Sequence, residues 1–321
     1  MNITVVGPGG IGLLFACLLK RGGADVWLLD KEIRKDRTDL INHRGIRIHA
    51  KQGFSDIMVR ATANPGDLPI PDVAIVAVKA YDTETALRDA QEIIGEETYV
   101  LFLQNGIQDT NRLEKWIRAE RILLGVTTHA STVLGNGEII HQASGNTVVG
   151  GKNPSSMENE LVERLKLLSI EMSHTSNASG SIWGKAIVNS VINPLTAILG
   201  VPNGKLAEMS SIRPFITEIV KEGMNVAEAL GISLNPPDPL EFTYEVINKT
   251  SSNRSSMLQD LEKGSRTEID YINGAIMKAG HDLGINVTVN TLLTRLIKRL
   301  ESGGTEIDAK TTLLKEAVVA K

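Results

Sequence analysis

Three polar side chains at regular spacing in an otherwise apolar segment are the first residues with a capacity for chemistry. Lys185, Asn189 and Asn193 recur every four residues between Trp183 and Pro194. On a helix this spacing places them on one face. A lysine can stabilise negative charge and donate a proton, and carboxamides can hydrogen-bond a substrate. Because idle polar groups are costly to bury, the spacing favours a functional stripe; the alternative is a solvated stripe on a surface helix.

A glycine-rich loop at the N-terminus follows the apolar run at residues 3–6. Between a strand and a helix, the GxGxxG pattern permits a tight turn, close approach of a pyrophosphate and close helix packing. The helix N-terminus then offers N–H groups and partial positive charge to phosphates. The loop therefore predicts a dinucleotide site; the alternative is a turn that packs a helix and binds nothing. Its residues are Gly7, Pro8, Gly9, Gly10, Ile11 and Gly12.

Two residues of opposite charge follow the second apolar run, at residues 25–29. An acidic residue at this point usually binds the ribose 2′-hydroxyl and favours NAD, and Asp30 stands there. A basic residue nearby accepts a 2′-phosphate, and Lys31 comes next, with Arg34 and Lys79 as further cations. Lysine lacks the bidentate fork of arginine, so selectivity is expected to be softer. NADPH is the predicted cofactor, and Asp30 leaves NAD open.

Two further clusters could contribute. Asn105 and Gly106 directly follow a predicted strand, at the carboxyl edge where ligands bind in such folds. Lys79 ends the preceding strand on the same edge and faces either the cofactor or solvent. The second cluster is a Ser-, Asn- and Arg-rich segment at residues 251–268. There Ser256 with Gln259, and Ser265 with Glu268, match helix capping boxes, and from the residues alone capping is favoured for both pairs.

The elements that would position these residues divide the chain in two. Strands are predicted at 2–6, 25–29, 73–78, 99–103 and 121–127, helices at 10–21, 82–94 and 109–118, and hairpins from 46–50 with 57–62 and from 130–134 with 138–142. This alternation predicts an α/β Rossmann-type doubly wound parallel sheet over residues 1–176. Residues 177–321 are predicted to form a C-terminal all-helical domain, and the active site is expected in the cleft between the domains. Helix-ending glycines are expected at Gly200, Gly264 and Gly284, and an apolar stripe at Ile269, Ile272, Ile276, Ala279 and Leu283.

Composition excludes several classes of protein. At 321 residues the chain is long for one compact core, and a net charge of −4 offers no basic face for nucleic acid or a membrane surface. No apolar stretch long enough for a transmembrane helix is expected, nor a signal peptide before the first strand. Cys17 is the single cysteine and is expected to be buried packing, and the six histidines are scattered, so no metal site is predicted. These features predict a cytoplasmic protein.

Seven motifs are spread along nearly the whole chain: GPGGIG at 7–12, VKAYDT at 78–83, LQNGI at 103–107, TTHAS at 127–131, GKAIVNSVINPLTAI at 184–198, PNG at 202–204 and SSMLQDLEKGSRTEIDYINGAI at 255–276. The long helical motif and the last motif are the specific ones. Taken together, these motifs resemble the ketopantoate reductase (2-dehydropantoate 2-reductase) family.

The resemblance implies NADPH-dependent reduction of 2-dehydropantoate to (R)-pantoate, on the way to pantothenate and coenzyme A. Lys185 matches the catalytic lysine and Glu268 the glutamate beside it at the cofactor. The implied cofactor contacts include Lys79, Asn105 and Ala130, with Lys31 at the position of the family's arginine. The implied substrate-binding residues are Asn105, Asn189, Asn193, Asn203, Asn253 and Ser256. Hydride would pass to the C2 ketone while Lys185 donates the proton; burial would lower its pKa and Glu268 would raise it.

Other functions stay open at this point. A related reductase could act on another branched 2-keto acid or on an opine-type substrate, keeping Lys185 and the glycine loop. A non-catalytic dinucleotide sensor would bind the cofactor without turnover, although an intact set of Lys185, Ser256 and Glu268 is unexpected in such a protein. The helical domain could also support a homodimer, since its apolar stripes permit one, but such stripes are more often internal core.

Overall fold

A computed structural model describes residues 1–50, 53–153, 156–168, 170–305 and 310. The chain divides into two compact units: the first is Met1–Gln104 with Asp109–Ala178, and the second is Asn105–Gln108 with the chain from Ser179 onward. The second boundary falls close to the predicted one at residue 176, and the short segment Asn105–Gln108 leaves the first unit for the second.

The first unit carries all the strands of the described chain, in two sheets. They are β1 (Asn2–Val6), β2 (Asp25–Leu29), β3 (Ile46–Ala50), β4 (Gly53–Ile57), β5 (Arg60–Thr62), β6 (Val73–Val76), β7 (Tyr99–Phe102), β8 (Ile122–Thr127), β9 (Ala130–Gly135), β10 (Glu138–Ala143), β11 (Thr147–Gly151) and β12 (Met172–His174). The main sheet has the order β12-β11-β8-β7-β6-β1-β2-β5, and its pairs are parallel except that of β11 with β8. Ile3 of β1 aligns with Val26 of β2 and Val73 of β6, so short apolar strands form a buried centre.

The helices of the first unit are α1 (Gly10–Arg21), α2 (Lys35–Arg44), α3 (Thr83–Asp89), α4 (Thr110–Leu113) and α5 (Ser156–Lys166). Helix α1 buries Leu13, Phe15 and Cys17 in the core of the sheet. Burial raises the pKa of the Cys17 thiol to about 12, in agreement with the predicted packing role. The helix predicted at 82–94 is α3 flanked by the 3₁₀ turns Ala80–Asp82 and Gln91–Ile93, and the one predicted at 109–118 shortens to α4.

One predicted hairpin is wrong in its partner. Residues 46–50 form β3, but β3 pairs with β4, whereas residues 60–62 form β5 at the edge of the main sheet. β4 is mostly exposed and carries few apolar residues, so it gives little strand signal. The hairpin of β9 and β10 is confirmed, and β10 also pairs in parallel with β3, which joins both hairpins into a second sheet of four strands.

The second unit is helical in the described chain and has its own core. Its helices are α6 (from Ala178 to Leu199), α7 (Lys205–Glu208), α8 (Arg213–Ala229), α9 (Pro239–Lys249), α10 (Ser256–Glu262), α11 (Asn273–Leu283) and α12 (Thr288–Glu301). Gly200, Gly264 and Gly284 have positive φ after α6, α10 and α11, which confirms their helix-ending role. Of the predicted apolar stripe, Leu283 is exposed.

Helix α6 is the central element of the second unit. Its apolar residues, among them Ile187, Val191 and Leu195, are fully buried. An 18-residue stretch of this 22-residue helix has a mean hydropathy of 1.2, so by length and composition α6 could cross a membrane. The expectation that no apolar stretch is long enough for a transmembrane helix is therefore wrong on length and composition alone. Because 78% of that apolar stretch is buried within the protein, α6 has the character of a core helix.

Candidate active site

The glycine-rich loop occupies the turn between β1 and α1. Gly7 has a φ of 93°, and its N–H donates to the Leu29 carbonyl at 3.0 Å. A Cβ on Gly12 would come within 2.1 Å of the Gly7 carbonyl oxygen, and one on Gly10 within 2.9 Å of the Ser131 carbonyl oxygen. These glycines are therefore required by close packing within the loop and against β9.

Gly9 is different, because no described residue lies close enough to require a glycine at this position. A Cβ there would lie 3.8 Å from its nearest neighbour, the Ala77 carbonyl oxygen, and the backbone φ is −81°. The open space beside Gly9 suits the close approach of a pyrophosphate to the backbone. Helix α1 starts at the next residue, with no side-chain cap and no acidic residue in its first turn, so its N-terminal N–H groups stay available to an anion. The loop fits a dinucleotide.

The charged residues after β2 form ion pairs. Asp30 is buried, and its two carboxylate oxygens accept hydrogen bonds from Nε and Nη2 of Arg37 at 2.5 and 2.6 Å. The Lys31 backbone N–H donates to the same carboxylate at 2.7 Å. The Lys31 ammonium lies 2.9 Å from Asp82, within the predicted VKAYDT motif. Arg37, which the sequence analysis did not single out, is thus the main partner of Asp30.

Two further predicted cofactor residues lie in the first unit. Lys79 follows β6 and precedes the 3₁₀ turn Ala80–Asp82, at the carboxyl edge of the sheet as predicted. Ala130 begins β9, and the carbonyl of the next residue, Ser131, packs at Gly10 of the loop. Both therefore belong to the same unit as the glycine loop.

Lys185 is the centre of the second unit's polar site. Its ammonium donates to Asn105 Oδ1 at 2.9 Å, so the residue that follows β7 in sequence meets α6 within this unit. Gly106 permits the approach: its φ is 88°, and a Cβ there would lie 2.4 Å from the Tyr271 carbonyl oxygen. The Ile107 N–H donates to the same carbonyl at 2.7 Å, which fixes the segment.

The electrostatics of Lys185 combine two opposing effects. Burial lowers its pKa to about 8, and the Coulombic effect of Glu268 acts in the opposite direction. Glu268 is itself buried, at the start of the 3₁₀ turn Ile269–Tyr271. The result is an ammonium that is largely charged at neutral pH and can release its proton readily, which suits a general acid.

Asn189 and Asn193 follow Lys185 on α6, as the spacing predicts. Asn193 is buried and Asn189 partly buried, so the stripe is not a solvated surface face. Pro194 lies inside the helix and has no N–H to bond the Ser190 carbonyl four residues earlier. The fully buried Asn273 of α11 donates its Nδ2 to that carbonyl at 2.9 Å and compensates for the missing bond.

Asn203 and Asn253 lie together in adjoining loops. The Asn203 N–H donates to the Asn253 carbonyl at 2.9 Å, and its Nδ2 donates to Thr250 Oγ1 at 2.9 Å. Its Oδ1 is buried and has no hydrogen-bond partner among the described residues. The PNG motif and the segment before α10 therefore form one local structure, with a carboxamide oxygen left as an acceptor.

The capping interpretation of Ser256 and Gln259 is wrong by one residue. Ser255 is the N-cap of α10: its hydroxyl accepts from the Leu258 N–H at 3.1 Å and from Thr196 Oγ1 at 2.7 Å. Ser256 is exposed at the first helical position, and Gln259 instead donates to the Arg254 carbonyl. Because Ser255 caps α10, the side chain of Ser256, the serine that the family resemblance assigns to the substrate, is not used for capping.

The second capping box, Ser265 with Glu268, does not form either. Thr267 Oγ1 accepts from the Ile269 N–H at 3.2 Å and donates to Glu301 at 2.7 Å, so Thr267 caps this turn. Glu268 makes no side-chain cap. The described residues also contain no group of three or more His, Cys, Asp or Glu that could hold a metal ion.

A glycine-rich loop on a parallel sheet, followed by a helical unit that buries a lysine beside a glutamate, is typical of a dinucleotide-dependent oxidoreductase. The family description "Ketopantoate reductase PanE/ApbA" matches residues 3–154, and "Ketopantoate reductase PanE/ApbA C terminal" matches residues 177–301. The chain belongs to the ketopantoate reductase PanE/ApbA family.

Individual relatives are similar along nearly their whole length. The 2-dehydropantoate 2-reductase of Pyrococcus horikoshii is 34% identical over 306 residues, covering 95% of this chain and 99% of the relative. That of Escherichia coli O157:H7 is 32% identical, covering 94% and 96%. Among solved structures, a ternary structure of D-mandelate dehydrogenase with NADH and anilino(oxo)acetate has a TM-score of 0.89 at 28% identity, covering 94% and 99%. A ketopantoate reductase from Ralstonia eutropha has a TM-score of 0.86 at 27% identity with the same coverage.

Proposed function

We propose that this protein reduces 2-dehydropantoate to (R)-pantoate with NADPH, as a step of pantothenate and coenzyme A biosynthesis in the cytoplasm. The observation that carries the proposal is Lys185, a partly buried ammonium beside Glu268 and hydrogen-bonded to Asn105. The relatives named 2-dehydropantoate 2-reductase support the choice of substrate.

The chemistry requires a proton donor at the ketone oxygen. When bound, the nicotinamide supplies the hydride to the C2 carbon. Lys185 then stabilises the negative charge that develops on the oxygen and donates its proton there. Asn105 Oδ1 orients the ammonium through its hydrogen bond, and Glu268 keeps it charged at neutral pH. The lowered pKa makes the ammonium a stronger acid and so favours proton transfer to the alkoxide.

The substrate's carboxylate and hydroxyl need separate partners. Ser256 is exposed at the start of α10, and we assign it to the carboxylate, where the helix N-terminus adds N–H donors. The carboxamides of Asn189, Asn193 and Asn203 are assigned to hydroxyl and carbonyl oxygens, with Asn253 holding the loop of Asn203 in place. The unsatisfied Oδ1 of Asn203 is an acceptor suited to a substrate hydroxyl.

The cofactor is assigned to the loop of residues 7–12, with Lys31, Lys79, Asn105, Ala130 and Glu268 as further contacts. The open space at Gly9 and the uncapped start of α1 support the pyrophosphate position. Solved neighbours with NADH support a nicotinamide dinucleotide of some kind. NADPH is our choice because Asp30, the residue that would favour NADH, is buried under Arg37.

A second candidate is the reduction of another 2-keto acid. It is favoured by the structural similarity to D-mandelate dehydrogenase, whose name gives an aromatic 2-hydroxy acid as substrate. Such an enzyme would use the same lysine chemistry on a different side chain. A homodimer is also consistent with either function and is tested by light scattering of the purified protein.

The test is NADPH oxidation with 2-dehydropantoate beside a panel of aliphatic and aromatic 2-keto acids. Selective turnover of 2-dehydropantoate is expected, and Lys185→Met should abolish most of it while the NADPH dissociation constant changes little. Lys221→Met, on the exposed side of α8, is the matched control and should retain full turnover. Preference for another ketone would move the substrate assignment, and cofactor binding without turnover of any keto acid would contradict it.

A further inference from the structure

The Asp30–Arg37 pair lies beside the loop that holds the pyrophosphate in the proposed function. Asp30 follows β2 directly, and the carbonyl of Leu29, the residue before it, accepts the N–H of Gly7 at 3.0 Å. The Asp30 N–H is fixed in turn by the Thr62 carbonyl of β5 at 3.0 Å. Its side chain therefore starts from a rigid position at the carboxyl edge of the sheet, where the adenosine ribose is expected in this fold.

An acidic residue at this position selects NADH only if its carboxylate can reach the ribose. The side chain of Asp30 is 2% exposed, whereas that of Arg37 above it is 18% exposed. Both carboxylate oxygens accept from the Arg37 guanidinium, and one accepts from the Lys31 N–H as well. Such a bidentate pair is strong and well oriented. The carboxylate is covered, and of the two paired side chains that of Arg37 is the more exposed.

Charge leads to the same conclusion. Lys31 is paired with Asp82, so the four side chains Asp30, Arg37, Lys31 and Asp82 sum to a formal charge of zero. Without Arg37 the sum would be −1, and an uncovered carboxylate would repel the 2′-phosphate of NADPH. With Arg37 in place, only two of its five N–H donors are used on Asp30, and a guanidinium binds phosphate well.

We propose that Arg37 selects the cofactor of this protein. By covering Asp30 it removes the acceptor for the 2′-hydroxyl of NADH and presents a cation to the 2′-phosphate of NADPH. The inference rests on the proposed dinucleotide-dependent reductase and adds a specificity residue to it. A chain with Asp30 but without Arg37 would favour NADH.

Binding of NADP⁺ and NAD⁺ by isothermal titration calorimetry, with no keto acid present, tests the proposal. Arg37→Met is expected to weaken NADP⁺ binding by about tenfold or more, the usual cost of a charged hydrogen bond, and to strengthen NAD⁺ binding. Lys35→Met removes an exposed cation from the same helix and should change both affinities less than about twofold. In Asp30→Asn/Arg37→Met, part of the NADP⁺ affinity should return and the NAD⁺ gain should vanish.

Two results would overturn the proposal. One is an NADP⁺-to-NAD⁺ affinity ratio in Arg37→Met that equals that of Lys35→Met. The other is a loss of NADP⁺ binding with no NAD⁺ gain and no recovery in the double variant, which would make Arg37 a phosphate ligand that does not act through Asp30. If Arg37→Met does not fold, Arg37→Lys carries the test, because lysine cannot cover both oxygens; its affinity ratio should fall several-fold, and an unchanged ratio contradicts the role.

Failure of this inference and failure of the proposed function are separable. Cofactor binding needs no substrate, so a shifted affinity ratio without turnover of any 2-keto acid would refute the reductase activity and leave Arg37 as the selector. Turnover of 2-dehydropantoate with an unchanged affinity ratio in Arg37→Met would do the reverse.

Discussion

The pKa of Lys185 makes the pH profile of reduction a demanding test of the proposed mechanism. The reaction needs the ammonium form, and burial lowers the pKa of this lysine to about 8. With that pKa, about nine-tenths of the side chain is charged near pH 7 and about one-tenth near pH 9. The rate of reduction should therefore fall roughly tenfold over this interval. An unperturbed lysine, with a pKa of about 10.4, would lose only a few per cent.

The assay is the initial rate of NADPH oxidation under saturating and limiting 2-dehydropantoate across the alkaline range. The free enzyme's pKa should be seen in kcat/KM and that of the ternary complex in kcat. In the reverse direction, oxidation of pantoate, the neutral amine is required, and the rate should rise with pH over the same range. Opposite slopes from one group distinguish Lys185 from general alkaline inactivation.

Glu268 provides the internal control for this reasoning. Its Coulombic effect raises the pKa of Lys185, so Glu268→Gln should move the midpoint of the reduction profile to lower pH. Lys205→Gln, in an exposed ion pair with Glu208, should leave the midpoint unchanged. A reduction rate that stays flat well above the predicted midpoint, or a midpoint that Glu268→Gln does not move, would refute the assignment of the proton donor.

Three further predictions concern packing and the loop. Gly9→Ala should keep the stability of the wild type but weaken cofactor binding, because its Cβ enters the open space assigned to the pyrophosphate. Gly12→Ala should lower the melting temperature, because its Cβ would lie 2.1 Å from the Gly7 carbonyl oxygen. Equal behaviour of the two variants in calorimetry and thermal melts would contradict this prediction. Asn273→Leu should lower the free energy of unfolding, measured with denaturant, by about 2–4 kcal/mol, because the Ser190 carbonyl and Asn290 Oδ1 lose their donor. A change smaller than the error of the method would contradict this prediction and show that water replaces the carboxamide. Glu222→Gln should lower the free energy of unfolding by about 1–3 kcal/mol. The Glu222 carboxylate accepts from the N–H groups of Val289 and Asn290 at the start of α12, and an NH₂ group would face one of these donors. Glu218→Gln on the same helix is the control and should change the free energy of unfolding little.

Sequence patterns predicted what depends on local chemistry. The glycine loop, the parallel strands and the stripe of Lys185, Asn189 and Asn193 follow from spacing and apolar runs, and the structure places them in the predicted elements. The capping boxes at Ser256 and Ser265 failed because Ser255, one residue away, and Thr267, two residues away, offer the same hydroxyl chemistry. A pattern of residue types cannot choose between two neighbouring hydroxyls when the helix start itself is uncertain by one residue.

The residues that the sequence did not single out bind partners that belong to another element of the fold. Arg37 covers Asp30 from the next helix, and Asn273 reaches α6 from α11. Neither Arg37 nor Asn273 belongs to a sequence motif whose spacing indicates its hydrogen-bond partner. A buried polar side chain is recognisable only once the fold shows which backbone group lacks a hydrogen bond. Arg37 could have been suspected from Asp30, since a carboxylate that ends a buried strand needs a cation or a ligand.

The bond from Asn273 to the Ser190 carbonyl makes two distant positions of the chain depend on each other. Asn273 is needed at this place because Pro194 withholds the N–H that any other residue would supply. Pro194→Ala should therefore relieve part of the defect of Asn273→Leu, and the two substitutions should be strongly non-additive. In evolutionary terms, loss of the proline frees the asparagine to drift, whereas loss of the asparagine first is penalised. The order in which these two positions can change is thus constrained by a single backbone carbonyl.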